Sequence, residues 1–595
     1  MRSVCPRESR QAFAARSTPI AGLRARLRAR LRARLCARLC AGLYTGLSLL
    51  PFAEAAEGTT DAAAHPFAGD VPALIEQAAE AGIEHVYDGP WEHFVGGGIA
   101  TFDCNADRLP DLYVAGGSNR AALYVNRSPA GGTLRFERRT AGATDLQGVI
   151  GAYPLDIDAD GHRDLVVLRV GANRILKGGP DCSFSPMPVS LGIDGGRGWT
   201  TAFSATFEQD RPGPTLAFGN YVDRSAPGSP WGTCDDNVLH RPLPGSPLRY
   251  ADPIVLSPGH CALSMLFTDW NRSGTDALRI TNDRHYHRDG EEQLWRLDAG
   301  EWPRRYTRAD GWTSLVIWGM GIAEADLDAD GFPEYALSSM GDTKLQQLDL
   351  AQADDVPRPT YVDIAWPSGA TAQRPYSGDD PRPSTGWHAG FADLNNDARL
   401  DLFIAKGNVE SMSDFAAHDP DNLLLGRGDG RFHEAGARAG LARDTRGRGA
   451  SLSDLNADGL LDVVVVNRAA PLALFRNAGM RSGPQPAEPP DAPRAGGNWL
   501  AIELRQEGPN PDAIGARLSV RTGNHVQVRR LSVGGGHASG AIGFAHLGLG
   551  VAERATLRIQ WPDGEWSAAY RLFANRHVVI TRGESHVMQW FPARS

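Results

Sequence analysis

Five stretches of this chain share the pattern D-x-[DN]-x-D-x-x-x-[DE], and each runs straight into an apolar, strand-like segment. They are "DCNADRLPDLYV" from Asp103, "DIDADGHRDLVV" from Asp156, "DLDADGFPEYAL" from Asp326, "DLNNDARLDLFI" from Asp393 and "DLNADGLLDVVV" from Asp454. A damaged copy, "DWNRSGTDALRI" from Asp269, is one residue short and has Ser273 where an acid belongs. A strand–turn–strand without the acids, "FSATFEQDRPGPTLAFGN", falls near Phe207, where the period requires a copy. Anchored at residues 103, 156, 207, 269, 326, 393 and 454, the steps are 53, 51, 62, 57, 67 and 61 residues. Seven units of that length fit the four-stranded blades of a propeller. The expected fold is therefore all-β, a seven-bladed β-propeller over residues 56–480.

The rest of each unit agrees. Gly-rich segments precede the loops: "VGGGIATFD", "GVIGAYPLD", "WGMGIAEAD", "HAGFADL" and "GRGASLSD". Small side chains there let inner strands crowd around an axis. The last unit ends one strand short near "LALFRNAGM". The segment "LIEQAAEAGIEHV", residues 74–86, resembles the fourth strand of the other units and is expected to close the seventh blade, removing an exposed edge.

In the acidic loops, positions 1, 3, 5 and 9 carry oxygen side chains and position 7 offers a backbone carbonyl. These are Asp103, Asn105, Asp107 and Asp111; Asp156, Asp158, Asp160 and Asp164; Asp326, Asp328, Asp330 and Glu334; Asp393, Asn395, Asp397 and Asp401; Asp454, Asn456, Asp458 and Asp462. Six or seven hard oxygens suit Ca²⁺ better than the strict octahedron of Mg²⁺. Without Cys or His at these positions, softer metals are disfavoured. Clustered carboxylates repel unless protonated or neutralised. A water-filled Asx-rich hairpin competes for any single copy, but repetition in register before strands favours about five structural Ca²⁺ sites.

Residues 1–55 read as a secretory signal: an arginine-rich region, an apolar run from about Leu39 to Phe52, and Ala53-Glu54-Ala55 as the cut. The arginine tract is unusually long and leaves the true start codon open. The apolar run is too short to span a bilayer in the mature chain. Residues 1–55 hold 11 Arg and 2 Glu, so their removal takes the formal charge from −9 to −18. Such acidity excludes nucleic acid as the natural partner. Four of the seven cysteines lie beyond residue 55, namely Cys104, Cys182, Cys234 and Cys261. An exported chain permits disulfides among them; Cys234 and Cys261 flank one irregular segment and are the expected pair, with free buried thiols as the alternative.

The loops with their Gly-rich lead-in resemble the FG-GAP or VCBS repeats of calcium-loaded seven-bladed propellers. After a Pro-rich linker, residues 481–497, come "NWLAIELRQ", "DAIGARLSV", "QVRRLSVGGGHASG", "AHLGLG" and "IQWPDGEW". That order resembles the ASPIC/UnbV domain, and the whole layout is similar to the CRTAC1-like (cartilage acidic protein) family. The resemblance implies secretion and calcium binding but little chemistry. Departures are the eroded third and fourth units and the missing glycine in "DCNADRLPD" and "DLNNDARLD". Read on its own, the region 498–590 alternates short strands with Gly and "PDG" breaks, which predicts a compact β-sandwich or barrel. His537 and His546 sit by its glycine-rich loop, as ligands or as solvated loop residues.

Residues entering the inner strands are expected at the channel mouth opposite the acidic hairpins: His93, Trp199, Trp318, Met320, Trp387, His388, Arg446 and Arg448. Tryptophan and arginine at a concave mouth can stack on sugars or hold acidic groups; alternatively they plug the axis. His285 and His287, near Asp283 and Asp289, form a second polar cluster, read as a loop. Arg427-Gly428-Asp429 lies in a turn that the repeat uses anyway. No nucleophile elbow, P-loop, dinucleotide fingerprint or HExxH occurs. The reading is a secreted or periplasmic/cell-surface, monomeric, calcium-binding adhesion or ligand-binding module for an extracellular glycan or protein. The alternative is an extracellular saccharide-acting lyase or hydrolase with its site at the mouth.

Overall fold

The computed structural model describes residues 70–592 apart from 141, 227–232, 246, 284–289, 353–356, 372–384, 411–418 and 482–495. The leader, most of the Pro-rich linker, and His285, His287 and Asp289 lie outside the described residues.

Seven successive antiparallel sheets are built from residues 71–481. Their first strands are Ile99–Phe102, Val149–Leu155, Thr200–Thr206, Ala262–Thr268, Gly319–Ala325, Gly386–Ala392 and Gly447–Ser453, here called inner strands 1 to 7. Each packs beside the next, and the seventh packs back against the first, so the sheets close into a ring, the arrangement of a β-propeller. Inner strands 2 to 7 each carry a register shift near their start. Such bulges sharpen the local twist. The core lies between sheets; Phe403, Leu423, Val463, Val465 and Phe475 join the sixth and seventh.

The seventh sheet takes its outer strand from the beginning of the described chain. Val71–Glu76 pairs antiparallel with Ala473–Arg481, from Val71 opposite Arg481 to Glu76 opposite Phe475. This strand starts three residues before the segment 74–86 read from the sequence and ends where Glu76 Oε1 accepts the Ala78 amide at 2.9 Å, opening a turn. Residues 77–86 still follow the sheet, with Leu472 N–H donating to His85 O.

Residues 498–590 form two four-stranded sheets face to face. One holds Asn498–Arg505, Ala545–Gly550, Arg576–Thr581 and Met588–Trp590; the other holds Arg517–Thr522, His525–Arg530, Arg554–Gln560 and Tyr570–Phe573. Alternating residues Leu500, Ile502, Leu518, Val520, Leu557, Ile559, Val578 and Ile580 fill the space between them. Between Arg530 and Ala545 the chain leaves this sandwich and enters the propeller axis. There Gly540 bridges to Ala100, Ser539 to Ala152, Val533 to Ala205, Gly534 to Leu266 and Gly536 to Ile322, on inner strands 1 to 5.

Candidate functional site

The five acidic hairpins have one construction. The position-1 carboxylate accepts backbone amides across the loop: Asp156 from Asp160 and Gly161, Asp393 from Asp397 and Ala398, Asp454 from Asp458 and Gly459. Asp103 and Asp326 accept from Arg108 and Gly331, the residues at position 6. Position 5 accepts the amide of position 7 in every copy, as Asp107 from Leu109, Asp160 from His162, Asp330 from Phe332, Asp397 from Arg399 and Asp458 from Leu460. These are Asx turns laid end to end. They require left-handed backbone at positions 4 and 6: Ala159 and Gly161 have φ of 56° and 88°. Where glycine is missing, Arg108 and Ala398 take φ of 64° and 71° regardless.

Position 9 ties the hairpin to the third strand. Asp111 accepts Cys104 N–H and Asn126 N–H, Asp164 accepts Ile157 and Gly178, Asp401 accepts Leu394 and Gly426, and Asp462 accepts Leu455 and Asn477. Burial pushes Asp111, Asp164 and Glu334 up to about 8. Burial, then repulsion from Asp397 and Asp401, raises Asp393 well above the carboxylate range. Burial raises Asp156, Asp326, Asp397 and Asp458 to about 6. Carboxylates raised this far are favoured as neutral groups unless a positive charge lies beside them.

The donor set fits a hard cation. Asp156, Asp158 and Asp164, and likewise Asp326, Asp328 and Glu334, bring one oxygen each within 4.8 Å of one another. Asp158 Oδ1 and Asp326 Oδ1 are buried without a hydrogen-bond partner. The second hairpin already has a cation at hand, since Lys177 Nζ from the adjoining strand pairs with Asp158 and Asp160. In the eroded fourth unit arginines take that role: Arg517 meets Asp269 at 3.1 Å, and Arg530 grips both oxygens of Asp276 at 2.7 and 2.8 Å. Cys104, at position 2 of the first hairpin, forms a disulfide with Cys182 of the second sheet, so those thiols are not ligands. Cys234 and Cys261 form the second disulfide, the pair expected from the sequence.

The sandwich covers the hairpin face. Trp499 lies so close over Gly459 that a Cβ there would sit 1.8 Å from the indole. His546 Nε2 meets Asn396 Oδ1 at 2.7 Å, His525 Nε2 meets Ala398 O at 2.9 Å, and Arg108 pairs with Glu503 at 3.1 Å. Between the faces lies a cavity of about 410 Å³ with arginine, carboxylate and histidine walls, including Arg163, Glu324, Asp326, Asp512, Arg530 and His546.

The axis is filled. His537 is fully buried; its backbone N–H donates to His388 Nδ1, its Nε2 accepts Gly96 N–H, and its Nδ1 faces Met320 O. Burial lowers His537 to about 3 and His388 to about 4, so both rings are neutral. The residues expected around an open mouth differ from that expectation. His93, Trp199, Met320, Trp387, His388 and Arg448 are buried, while Trp318 and Arg446 are half-buried. Arg448 donates to the carbonyls of Phe94, Gly447, Asn408 and Val409 and lies 4.1 Å over the Trp387 ring, which engages four of its five N–H groups. Trp387 donates to Gly407 O and packs on His537. Met320, Trp387 and His388 face a segment from beyond the ring that fills the axis, while Trp199 and Arg448 are taken up by aromatic rings and carbonyls of the ring itself. The segment itself was the signal available: glycines and small residues in "SVGGGHASGA" match the small residues of the inner strands.

Residues 103–203 match the FG-GAP-like repeat family, and residues 506–587 match the ASPIC and UnbV family. Part of the ring is thus similar to FG-GAP-like repeats, and most of the sandwich is similar to the ASPIC and UnbV family. More particularly, the chain is similar to Cartilage acidic protein 1 of Mus musculus, 26% identical over 254 residues, which is 42% of this chain and 34% of that protein. It is equally similar to the Homo sapiens protein of the same name, 26% identical over 42% of this chain and 33% of that one. The matched part spans about a third of the length of these relatives. Among solved structures, the Dos1 propeller aligns with a TM-score of 0.32 and 8% identity, over 64% of this chain and 92% of that chain.

Proposed function

We propose that this protein is a secreted, calcium-stabilised binding module in which propeller and sandwich form one scaffold that presents its outer surface to a partner. The observation that carries the calcium reading is the convergence of oxygen-only donors in the hairpins at Asp156 and Asp326, with buried carboxylate oxygens at Asp158 and Asp326 left without partners, on a loop pattern that recurs in three further hairpins. Asp103, Asp156, Asp326, Asp393 and Asp454, with positions 3, 5 and 9 of each loop, would hold the ions. A bound Ca²⁺ supplies positive charge that neutralises the loop. Two disulfides support an oxidising, extracytoplasmic compartment. Among the described residues no helix is long and apolar enough to cross a membrane. The filled axis supports binding at the outside of the scaffold rather than within the ring.

At free calcium about five times Kd, each site contributes RT ln 6, roughly 1 kcal/mol, and five give about 5 kcal/mol. Protein stripped of metal should melt several degrees lower in EGTA than after calcium is restored. Identical melting curves in the two conditions overturn the proposal.

A further inference from the structure

The second sheet of the sandwich turns one face away from its own core, and that face is basic in an otherwise acidic protein. Register places Arg521 and Arg571 on either side of Thr556, one strand away each. Arg554 and Arg558 lie two residues before and after Thr556 on its own strand. The four arginines therefore form a diamond around one threonine. All four are exposed, while the alternate residues Ala555, Leu557 and Ile559 point into the core. No Asp or Glu occupies an outward position on these four strands.

The same face shows what it pairs with. At its inner end Arg517 and Arg530, outward on the same register, grip the propeller carboxylates of Asp269 and Asp276. The diamond continues that arginine face into solvent. Arg558 lies 4.8 Å over the Trp566 ring, and Arg554 and Arg576 lie 4.6 and 5.1 Å from the Phe573 ring. Stacked guanidiniums are pre-organised and keep N–H edges free for two-point contact with an oxyanion.

We propose that this face docks an acidic polysaccharide, with Arg521, Arg554, Arg558 and Arg571 receiving its uronate carboxylates. The spacing asks for a polymer. At about 3.3 Å per residue and about 4.8 Å between strands, Arg554 and Arg558 stand about 13 Å apart and Arg521 and Arg571 about 10 Å apart. One small anion cannot reach all four; a chain with a carboxylate on every second sugar unit can. The surface is the flat of a sheet rather than an open edge or groove, so it lacks the usual features that hold a peptide backbone. A bilayer would bring wide anionic surface against a molecule of formal charge −9. A thin chain meets only the basic strip. The proposal rests on the extracellular reading for where such a polymer is met, but its chemistry is independent of calcium.

The test titrates the full-length protein with hyaluronan, which carries carboxylates and no sulfate, with neutral dextran, dextran sulfate, poly-glutamate and phosphatidylserine vesicles as comparators. Each is run with calcium and with EGTA. Hyaluronan should bind in both, more weakly as salt rises through the range where the Debye length shortens to about 8 Å; dextran should not bind. R521A, R554A, R558A and R571A should each weaken hyaluronan by about two- to fivefold and together by at least about tenfold. Because the side chains are exposed, melting temperatures should stay unchanged. Full-affinity binding by the quadruple variant overturns the site. Binding to dextran sulfate alone overturns the carboxylate assignment, and binding to poly-glutamate or vesicles without hyaluronan overturns the polysaccharide. Melting that ignores EGTA while hyaluronan still binds would remove the calcium reading and leave this one standing.

Discussion

Gly98 makes the contact between ring and plug measurable. It precedes inner strand 1, has ordinary backbone angles, and faces Ala538 so closely that a Cβ would sit 1.8 Å from the Ala538 carbonyl oxygen and 2.5 Å from its carbon. A carbon–oxygen contact needs roughly 3.3 Å or more, so in Gly98→Ala the plug backbone must retreat by over about 1 Å. That retreat breaks the bonds from Ala152 N–H to Ala538 O and from Ile99 N–H to Ser539 Oγ, both 3.2 Å long. Overpacking costs about 1–3 kcal/mol and each lost hydrogen bond about 1 kcal/mol, for a total of about 3–5 kcal/mol. Unfolding entropy near 2.1 cal/mol/K per residue over about 520 residues is roughly 1.1 kcal/mol/K, so the expected fall in Tm is only about 3–5 °C. Scanning calorimetry resolves that. Gly142→Ala, which meets nothing within 4 Å, is the control and should melt with the wild type. If G98A melts within about 1 °C of that control, the plug does not bear on the ring as described.

Further outcomes follow from the buried histidines and the hairpin backbone. His388, His537 and His546 are lowered by burial to about 4, 3 and 4, whereas the unfolded chain takes up protons near 6.5. At these rings the unfolded state therefore binds more protons below about pH 6.5, so each histidine removes up to about 1.4 kcal/mol of stability per pH unit between about pH 6.5 and 4, against the opposite drift of metal-free hairpin carboxylates, whose raised values favour the folded state as pH falls. Urea titrations of the wild type and of His546→Gln across that range check it; the same slope in both would mean that the His546 ring is hydrated. Ala398 holds a left-handed φ of 71° where three of the other loops have glycine. Ala398→Gly should relieve about 1 kcal/mol of strain, seen as a higher urea midpoint; a lower midpoint would mean that flexibility gained in the unfolded chain wins.

Much of the ring was legible because its signal is local. Each hairpin writes its turns into nine consecutive residues, and even the third unit, without acids, was placed by period alone. What stayed hidden depends on register and on partners far along the chain. Lys177 reaches the second hairpin from a strand that the loop motif does not include. The glycines of residues 534–536 announce unusual backbone, with φ of 123°, 74° and 54°, but not what approaches them. His388 and Arg448 were correctly assigned to inner strands, yet their burial is decided by His537 and by carbonyls of other sheets. The arginine diamond is spread over three strands, and only pairing brings Arg521 and Arg571 to Thr556.

The pairing of Val71–Glu76 with Ala473–Arg481 sets an order of events. Val71–Glu76 leaves the ribosome before the rest of the ring and has no partner until nearly every other sheet has been made. Until then the seventh sheet lacks its rim, and the early strand is an adhesive apolar ribbon, VPALIE, free to join a neighbouring chain. Assembly of the ring is thus a late, long-range event, slow by its topology, and the molecule is most open to misassembly before its two distant segments meet.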